Sequence, residues 1–197
     1  MNPSNTYPIA RTKMRSSLFL VLCASALVVP LHAASPAPST YAGQQTRDIK
    51  ALSAEDVTSI LEGNGMGFAK AAELNGYPGP AHVLELSSEL GLSPAQKEKS
   101  AALFASMQAK AVALGGALVA EERRLDEAFA GRTVSRGSLL PMVAKIGELQ
   151  AQLRAAHLEA HLEQIRILTP RQVAEYARLR GYAAGGDAAA EHGAHHH

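Results

Sequence analysis

The sequence predicts an all-α protein, an extended antiparallel helical hairpin with short flanking helices. No segment shows the strict alternation of apolar and polar residues that is typical of a half-buried strand. Instead, segments 93–130 and 135–167 repeat apolar residues at helical spacing and are joined by a short turn at 131–133. Long helices with so short a connection pack as antiparallel neighbours. One hairpin alone buries its apolar stripes poorly, so we expect a homodimer.

Residues 1–34 are interpreted as a cleavable signal peptide and not as part of the fold. Arg11, Lys13 and Arg15 precede an apolar run over 18–29, after which small residues offer a cleavage site. This pattern predicts export to the periplasm. The alternative is an uncleaved membrane anchor.

The mature chain is expected to be free of cysteine and mildly acidic. Cys23, the only cysteine, lies in the signal peptide, which excludes disulfides and thiolate metal sites from the mature chain. Removal of the three basic residues of the leader leaves 16 Lys and Arg against 18 Asp and Glu, a net charge of −2. Without a basic excess, nucleic acid is not an expected partner.

The rest of the chain divides into three parts by composition. Residues 35–50 are rich in Pro, Ser and Gln and are expected to form a flexible lead-in. A helical domain is expected over 51–182. Residues 183–197 are rich in Ala and Gly and contain histidines, so we expect a disordered tail.

The helical domain is predicted to open with short helices. A glycine-rich break at 63–67 and a rigid Pro/Gly turn at 77–80 delimit them. The predicted helices are, in chain order, 53–62, 68–74 and 82–90.

The two long helices that follow each carry an apolar stripe at a spacing of three and four residues, which predicts packing on a partner helix. Gly115-Gly116 permits a bend or a close helix contact in the first helix. Pro141 is expected either to kink the second helix or to shift its start. The charged run 121–127 is expected to be a solvated face. The stripes comprise Phe104, Met107, Ala111, Leu114, Leu118, Leu125 and Phe129, then Val143, Ile146, Leu149, Leu153, Ala156 and Ala160.

Two similar pentapeptides open the first long helix and the closing helix. They are Leu92-Ser93-Pro94-Ala95-Gln96 and Leu168-Thr169-Pro170-Arg171-Gln172. Each combines a hydroxyl N-cap, proline at the first helical position and glutamine at the third, which is a capping box. The residues themselves indicate a capping role and no chemical one. Together the two boxes bracket the hairpin.

The paired boxes, the helical hairpin and the leader resemble the Spy/CpxP family, which includes periplasmic heavy-metal sensors and zinc-resistance-associated proteins. The resemblance covers about residues 84–182. It implies a curved homodimer whose concave face holds unfolded clients without ATP, or which adjusts a membrane stress sensor. It also implies metal binding in some members. The best-known chaperone members are strongly basic, whereas this mature chain is mildly acidic.

His157 and His161 lie four residues apart and therefore share one helix face, from which two imidazoles can ligate one metal. His82 and Glu85, on the preceding short helix, are the candidates for further ligands. Zinc, nickel, cobalt and copper all accept imidazole, so the residues leave the metal's identity open. In the alternative interpretation, both His157 and His161 are polar edge residues of the apolar stripe and no cofactor is required.

Three functions remain as hypotheses. We find no Ser-His-Asp order, nucleophile elbow or glycine-rich phosphate loop, so we do not expect an enzyme. The leading hypothesis is a periplasmic ATP-independent chaperone or envelope-stress adaptor that binds unfolded clients or a sensor. The alternatives are a heavy-metal-binding sensor or resistance protein and a structural, partner-binding helical module.

Overall fold

The computed structural model describes residues 39–182, and this part is mostly helical and contains no β-strand. The all-α class predicted from the sequence is confirmed. The predicted signal peptide over 1–34 and the predicted tail over 183–197 lie outside the described residues. The described part has a short 3-10 turn, Gln44–Thr46, followed by six α-helices. The helices are α1 (Ala54–Leu61), α2 (Lys70–Glu73), α3 (Pro80–Glu85), α4 (Pro94–Ala130), α5 (Arg136–Ile167) and α6 (Pro170–Leu179).

Capping boxes begin four of these helices. The hydroxyls of Ser53, Ser93, Ser135 and Thr169 each accept a hydrogen bond from the backbone N–H three residues on, and the side chain there accepts from the N-cap N–H in return. Each box satisfies two N–H groups that have no partner within their helix. The predicted starts of α1, α4, α5 and α6 are therefore confirmed. Pro141 lies inside α5 and does not shift its start.

The prediction for α3 is wrong in its length. Pro80 is the first helical residue, as expected for a proline suited to the N1 position, but the helix predicted to extend to Leu90 ends at Glu85, and turns continue to Gly91. Gly91 has a positive φ of 59°, and the N–H of Leu92 donates to the carbonyl of Ser87 at 3.0 Å. The chain thus turns sharply into α4, which the apolar spacing of this segment did not indicate. Similarly, α2 is shorter than the predicted 68–74.

Helices α4 and α5 are the main packing partners, and their contacting residues follow opposite orders along the chain. The Gln96 side chain reaches the carbonyl of Ile167, and further along α4 Lys110 pairs with Glu159 at 3.0 Å. Their interface contains most of a core cluster, to which both predicted stripes contribute. The buried members from the two helices are Ala111, Leu118, Val119, Ile146, Leu149 and Leu153. By length and composition alone, α4 could also cross a membrane, a property that core helices of soluble proteins share.

Helix α1 packs on α4 at a glycine. A Cβ atom on Gly115 would lie 2.3 Å from the carbonyl oxygen of Ile60, whereas a Cβ on Gly116 would meet nothing within 4 Å. The first glycine therefore permits a close helix contact, which is one of the two roles that the Gly-Gly pair predicted. The second glycine has no such packing role.

Residues 48–50 pack on α4, although the composition of 35–50 predicted a flexible lead-in. Ile49 is 1% exposed and belongs to the core cluster. The N–H of Lys50 donates to Asp126 at 3.0 Å, and Asp48 pairs with Arg123 at 2.7 Å. One apolar residue and two polar contacts hold this segment. So few residues hardly change its composition, so the composition could not predict this packing.

A second core cluster joins α3, α6 and the two capping boxes. It consists of Val83, Leu90, Leu92, Leu168 and Tyr176, all at most 8% exposed. The leucine that opens each pentapeptide is therefore a core residue at the end of the molecule where α4 begins and α5 ends.

Candidate functional site

The two capping boxes meet in space through their glutamines. Gln96 Nε2 donates to Gln172 Oε1 at 2.8 Å, and Gln172 Nε2 donates back to Gln96 Oε1 at 3.1 Å. Each Nε2 also donates to a backbone carbonyl, that of Ile167 at 2.9 Å for Gln96 and that of Leu90 at 3.3 Å for Gln172. The sequence predicted the capping role of these residues but not this amide pair.

The amide pair uses both ends of each side chain. Each Oε1 accepts from the N-cap N–H of its own helix, Ser93 or Thr169, at 3.0 and 2.9 Å. Because the Nε2 end is directed to the other box, the motif closes the open end of the α4–α5 pair as well as starting two helices. Nothing in this geometry gives the boxes a chemical role.

The predicted histidines come together at a single cavity of about 270 Å³. His82, His157 and His161 all contribute to its lining, with Phe104 and Met107 of α4 opposite. Glu85 is not part of the lining. Instead, its Oε2 lies 2.8 Å from Nδ1 of His82. In metal sites, a carboxylate in this position orients a histidine without binding the metal itself.

His157 is a buried, neutral residue. Its side chain stacks on Phe68 with ring centroids 5.8 Å apart, and only 5% of the residue is exposed. Burial lowers the pKa of His157, and neighbouring His161 lowers this pKa further. Its Nε2 is buried without a hydrogen-bond partner among the described residues. A neutral imidazole with a free nitrogen is the form that can ligate a metal.

His161 is held in place by the turn that precedes α3. Its Nδ1 lies 2.7 Å from the carbonyl oxygen of Tyr77, which can only accept, so Nδ1 carries the proton and Nε2 is the acceptor nitrogen. Gly79 makes room for the ring, since a Cβ there would lie 2.8 Å from Cε1 of His161. Glu73 Oε2 is 3.7 Å from Nδ1 of His161, a longer contact than the bond to Tyr77.

Glu73 links this histidine to α6. The Tyr176 hydroxyl donates to Glu73 Oε1 at 2.5 Å, and Arg180 Nε lies 3.5 Å from the same oxygen. Burial and the bond to Glu73 raise the pKa of Tyr176 well above its usual value. Sequence reasoning missed Glu73 and Tyr176, since neither belongs to a motif.

The cavity does not contain a complete metal site in its present side-chain arrangement. No group of three or more His, Cys, Asp or Glu side chains is placed to hold a metal ion within residues 39–182. The three imidazoles line the same space without converging on one point. Side-chain rotation is therefore required before they can share an ion.

Comparison with protein-family models, with curated proteins and with solved structures gave no match to this chain.

Large apolar side chains are exposed on either side of the α4–α5 turn. Leu140 is 69% exposed, Phe129 54% and Val143 48%. Phe129 and Val143 belong to the stripes that the sequence predicted to be buried, so this end of each stripe is uncovered. The three residues lie within the last turn of α4 and the first three turns of α5.

Proposed function

We propose that this chain is an exported, ATP-independent chaperone or envelope-stress adaptor. In this proposal α4 and α5 form an extended antiparallel hairpin, two copies associate as a homodimer, and the protein binds unfolded envelope proteins or a membrane sensor. The observation that carries the proposal is the exposed apolar surface of Phe129, Leu140 and Val143 near the α4–α5 turn. Complete burial of one such side chain stabilises a complex by about 1.5–3 kcal/mol, which favours a partner on this surface.

Two further features support the proposal. The N-terminal leader pattern favours export, and the paired boxes resemble those of the Spy/CpxP family. In this chain the glutamines of the two boxes bond to each other and so join the start of α4 to the start of α6.

Aggregation of a chemically denatured client, followed by light scattering, tests the proposal. The exported chain should suppress aggregation at a near-stoichiometric ratio without ATP. The variant Phe129→Gln/Leu140→Gln/Val143→Thr should lose most of this activity and keep its helical circular dichroism. A matched control, Leu61→Gln/Leu74→Gln, changes side chains of similar exposure elsewhere (44% and 54%). No suppression by the wild-type chain at any salt concentration, or equal loss in the control, would contradict the proposal. Sedimentation of the wild-type chain tests the dimer separately.

Metal binding is the second candidate function, and the shared cavity of His82, His157 and His161 favours it. In this proposal their imidazoles ligate zinc, nickel, cobalt or copper, and Glu85 orients His82. Calorimetric titration with each metal is the test, on a chain whose tail histidines are replaced by alanine. His157→Ala/His161→Ala should abolish binding. If the double variant binds metal as tightly as its parent, the proposed site is wrong.

A further inference from the structure

A second concave feature differs from the histidine cavity in its lining residues and therefore in its chemistry. It is a groove of about 730 Å³ between the α1 region and the α4–α5 pair. Its apolar lining includes Leu52, Ile60, Met66, Phe68 and Leu118, and its polar lining consists of Asp56, Glu122, Gln150 and Arg154. A volume of this size is within the range of pockets that bind small molecules.

One face of α5 contributes the small residues that keep the groove open. Gly147 and Ala151 lie four residues apart on α5, and Arg154 is three residues further on. A Cβ on Gly147 would meet nothing within 4 Å, so the space above it is free. The helical rise separates Gly147 from Arg154 by about 10 Å along α5.

Glu122 is the unexpected residue of this groove. It is 9% exposed, lines the groove, and makes no hydrogen bond or ion pair with any residue of the described range 39–182. The sequence predicted it to lie on a solvated face, which is wrong. Its charged neighbours behave differently, because Glu121 pairs with Arg124 at 2.9 Å and Asp126 with Lys50 at 3.1 Å.

An unpaired carboxylate in this position lowers stability. Desolvation raises the pKa of Glu122, since burial disfavours its charged form. Asp56 also lines the groove, but its carboxylate is engaged with Ser53, whose hydroxyl lies 2.6 Å away. Glu122 is therefore the carboxylate in this groove that lacks a partner.

We infer that the groove binds a small amphiphilic cation, with the apolar body against Ile60, Phe68 and Leu118 and the ammonium group paired with Glu122. The cation supplies the missing partner of the carboxylate, and the apolar walls strengthen the ion pair by excluding water. Arg154 is exposed and also lines the groove, so its positive charge disfavours a second cationic group on the ligand. The site therefore selects a single cationic group on an apolar body. This inference does not depend on the proposed function.

Two probes of nearly equal shape test the charge requirement. 1-Naphthylmethylamine is cationic at pH 7, and 1-naphthylmethanol is its neutral counterpart. Calorimetry with the exported chain should show the amine binding at least tenfold more tightly than the alcohol. Glu122→Gln should remove this preference and leave weak binding of both probes. The matched variant Glu121→Gln should keep the preference.

The variant Gly147→Leu tests the location. A Cβ there meets nothing within 4 Å, so the helix should stay folded, and the leucine side chain should occupy the groove so that both probes lose binding. Gly116→Leu, a glycine of α4 that also faces open space, should bind as the wild type does. Melting temperatures establish that each variant is folded. Equal affinity for amine and alcohol, an unchanged preference in Glu122→Gln, or unchanged binding in Gly147→Leu would each overturn the inference.

Discussion

The glutamine pair predicts a specific energetic coupling between the two capping boxes. Gln96→Ala removes four hydrogen bonds: one from the N–H of Ser93, one to the Ile167 carbonyl, and two shared with Gln172. A hydrogen bond contributes about 0.5–1.5 kcal/mol net to stability, so we expect the loss of four bonds to lower the free energy of unfolding by roughly 2–6 kcal/mol. Gln172→Ala should cost a similar amount, because its contacts are nearly equivalent.

Energetic coupling would show that the Gln96–Gln172 pair acts as a clamp, meaning a bonded link between the two capping boxes, and not as two independent caps. The double variant loses the two shared bonds once, whereas the single variants each lose them, so the loss in the double variant should be smaller than the sum of the single losses by about 1–3 kcal/mol. Gln96→Glu separates the roles further. Glutamate can still accept from the Ser93 N–H as a capping-box residue, but it cannot donate to Ile167 or to Gln172. We therefore expect Gln96→Glu to lower the free energy of unfolding, but by less than Gln96→Ala does.

Urea unfolding followed by helical circular dichroism measures these differences. Ser138→Ala is the matched control, since Ser138 closes the exposed capping box of α5 and bonds only within that box. Its loss should be about 0.5–1 kcal/mol, the ordinary contribution of a cap. The clamp would be refuted by additive effects of Gln96→Ala and Gln172→Ala, or by a loss in each no larger than that of Ser138→Ala.

Three further predictions follow from single residues. Gly115→Ala should destabilise the fold by about 1–3 kcal/mol because its Cβ collides with the Ile60 carbonyl. The neighbouring variant Gly116→Ala should stabilise the fold by about 0.5–1 kcal/mol. Equal urea midpoints for the two variants would contradict the close α1–α4 contact at Gly115. Glu122→Gln should raise the melting temperature at pH 7. Because the folded-state pKa of Glu122 lies above its usual 4.5, wild-type stability falls as pH rises above that value, so the gain should shrink toward pH 4; a gain constant with pH would contradict this. The folded-state pKa of His157 lies below its usual 6.5, so the unfolded chain takes up more protons and stability is lost as pH falls below about 6.5. His157→Leu should reduce this loss in urea midpoints between pH 7.5 and 5, and an unchanged pH slope would exclude His157 as its source.

Features that depend on neighbouring residues in the chain could be predicted from the sequence. A hydroxyl N-cap, a residue at the third helical position that can accept in return and an apolar spacing suffice to place the starts of α1, α4, α5 and α6, because the capping bonds span only three residues. The ends of short helices were less predictable. α3 ends at Glu85 although Leu86 and Leu90 continue its apolar face. Both leucines lie in the turns after α3, where Leu90 belongs to the second core cluster and Leu86 packs against it, so their burial does not require a helix.

Burial of single polar residues could not be predicted, because it depends on which segment covers them. Glu122 lies in a run of charged residues that would be solvated on an isolated α4. Segments of the chain before α2, including Leu52 and Ile60, cover this part of α4 and form the groove around the carboxylate. Ile49 is a second example, since it is 1% exposed and belongs to the core cluster although its stretch is rich in Pro, Ser and Gln.

The histidine cavity could be predicted from the sequence in part. The spacing of His157 and His161 places both on one face of α5, and His82 reaches the same cavity because α3 packs on α4 and α5. Three of the four residues proposed from the sequence therefore line one cavity and Glu85 does not, and long-range contacts determine the environment of each histidine ring. The Tyr77 carbonyl fixes the tautomer of His161, and Phe68 buries His157. If the proposed metal binding is correct, these contacts matter more for it than the spacing does, because they leave the buried Nε2 of His157 without a hydrogen-bond partner among the described residues and hold the ring of His161 by its Nδ1.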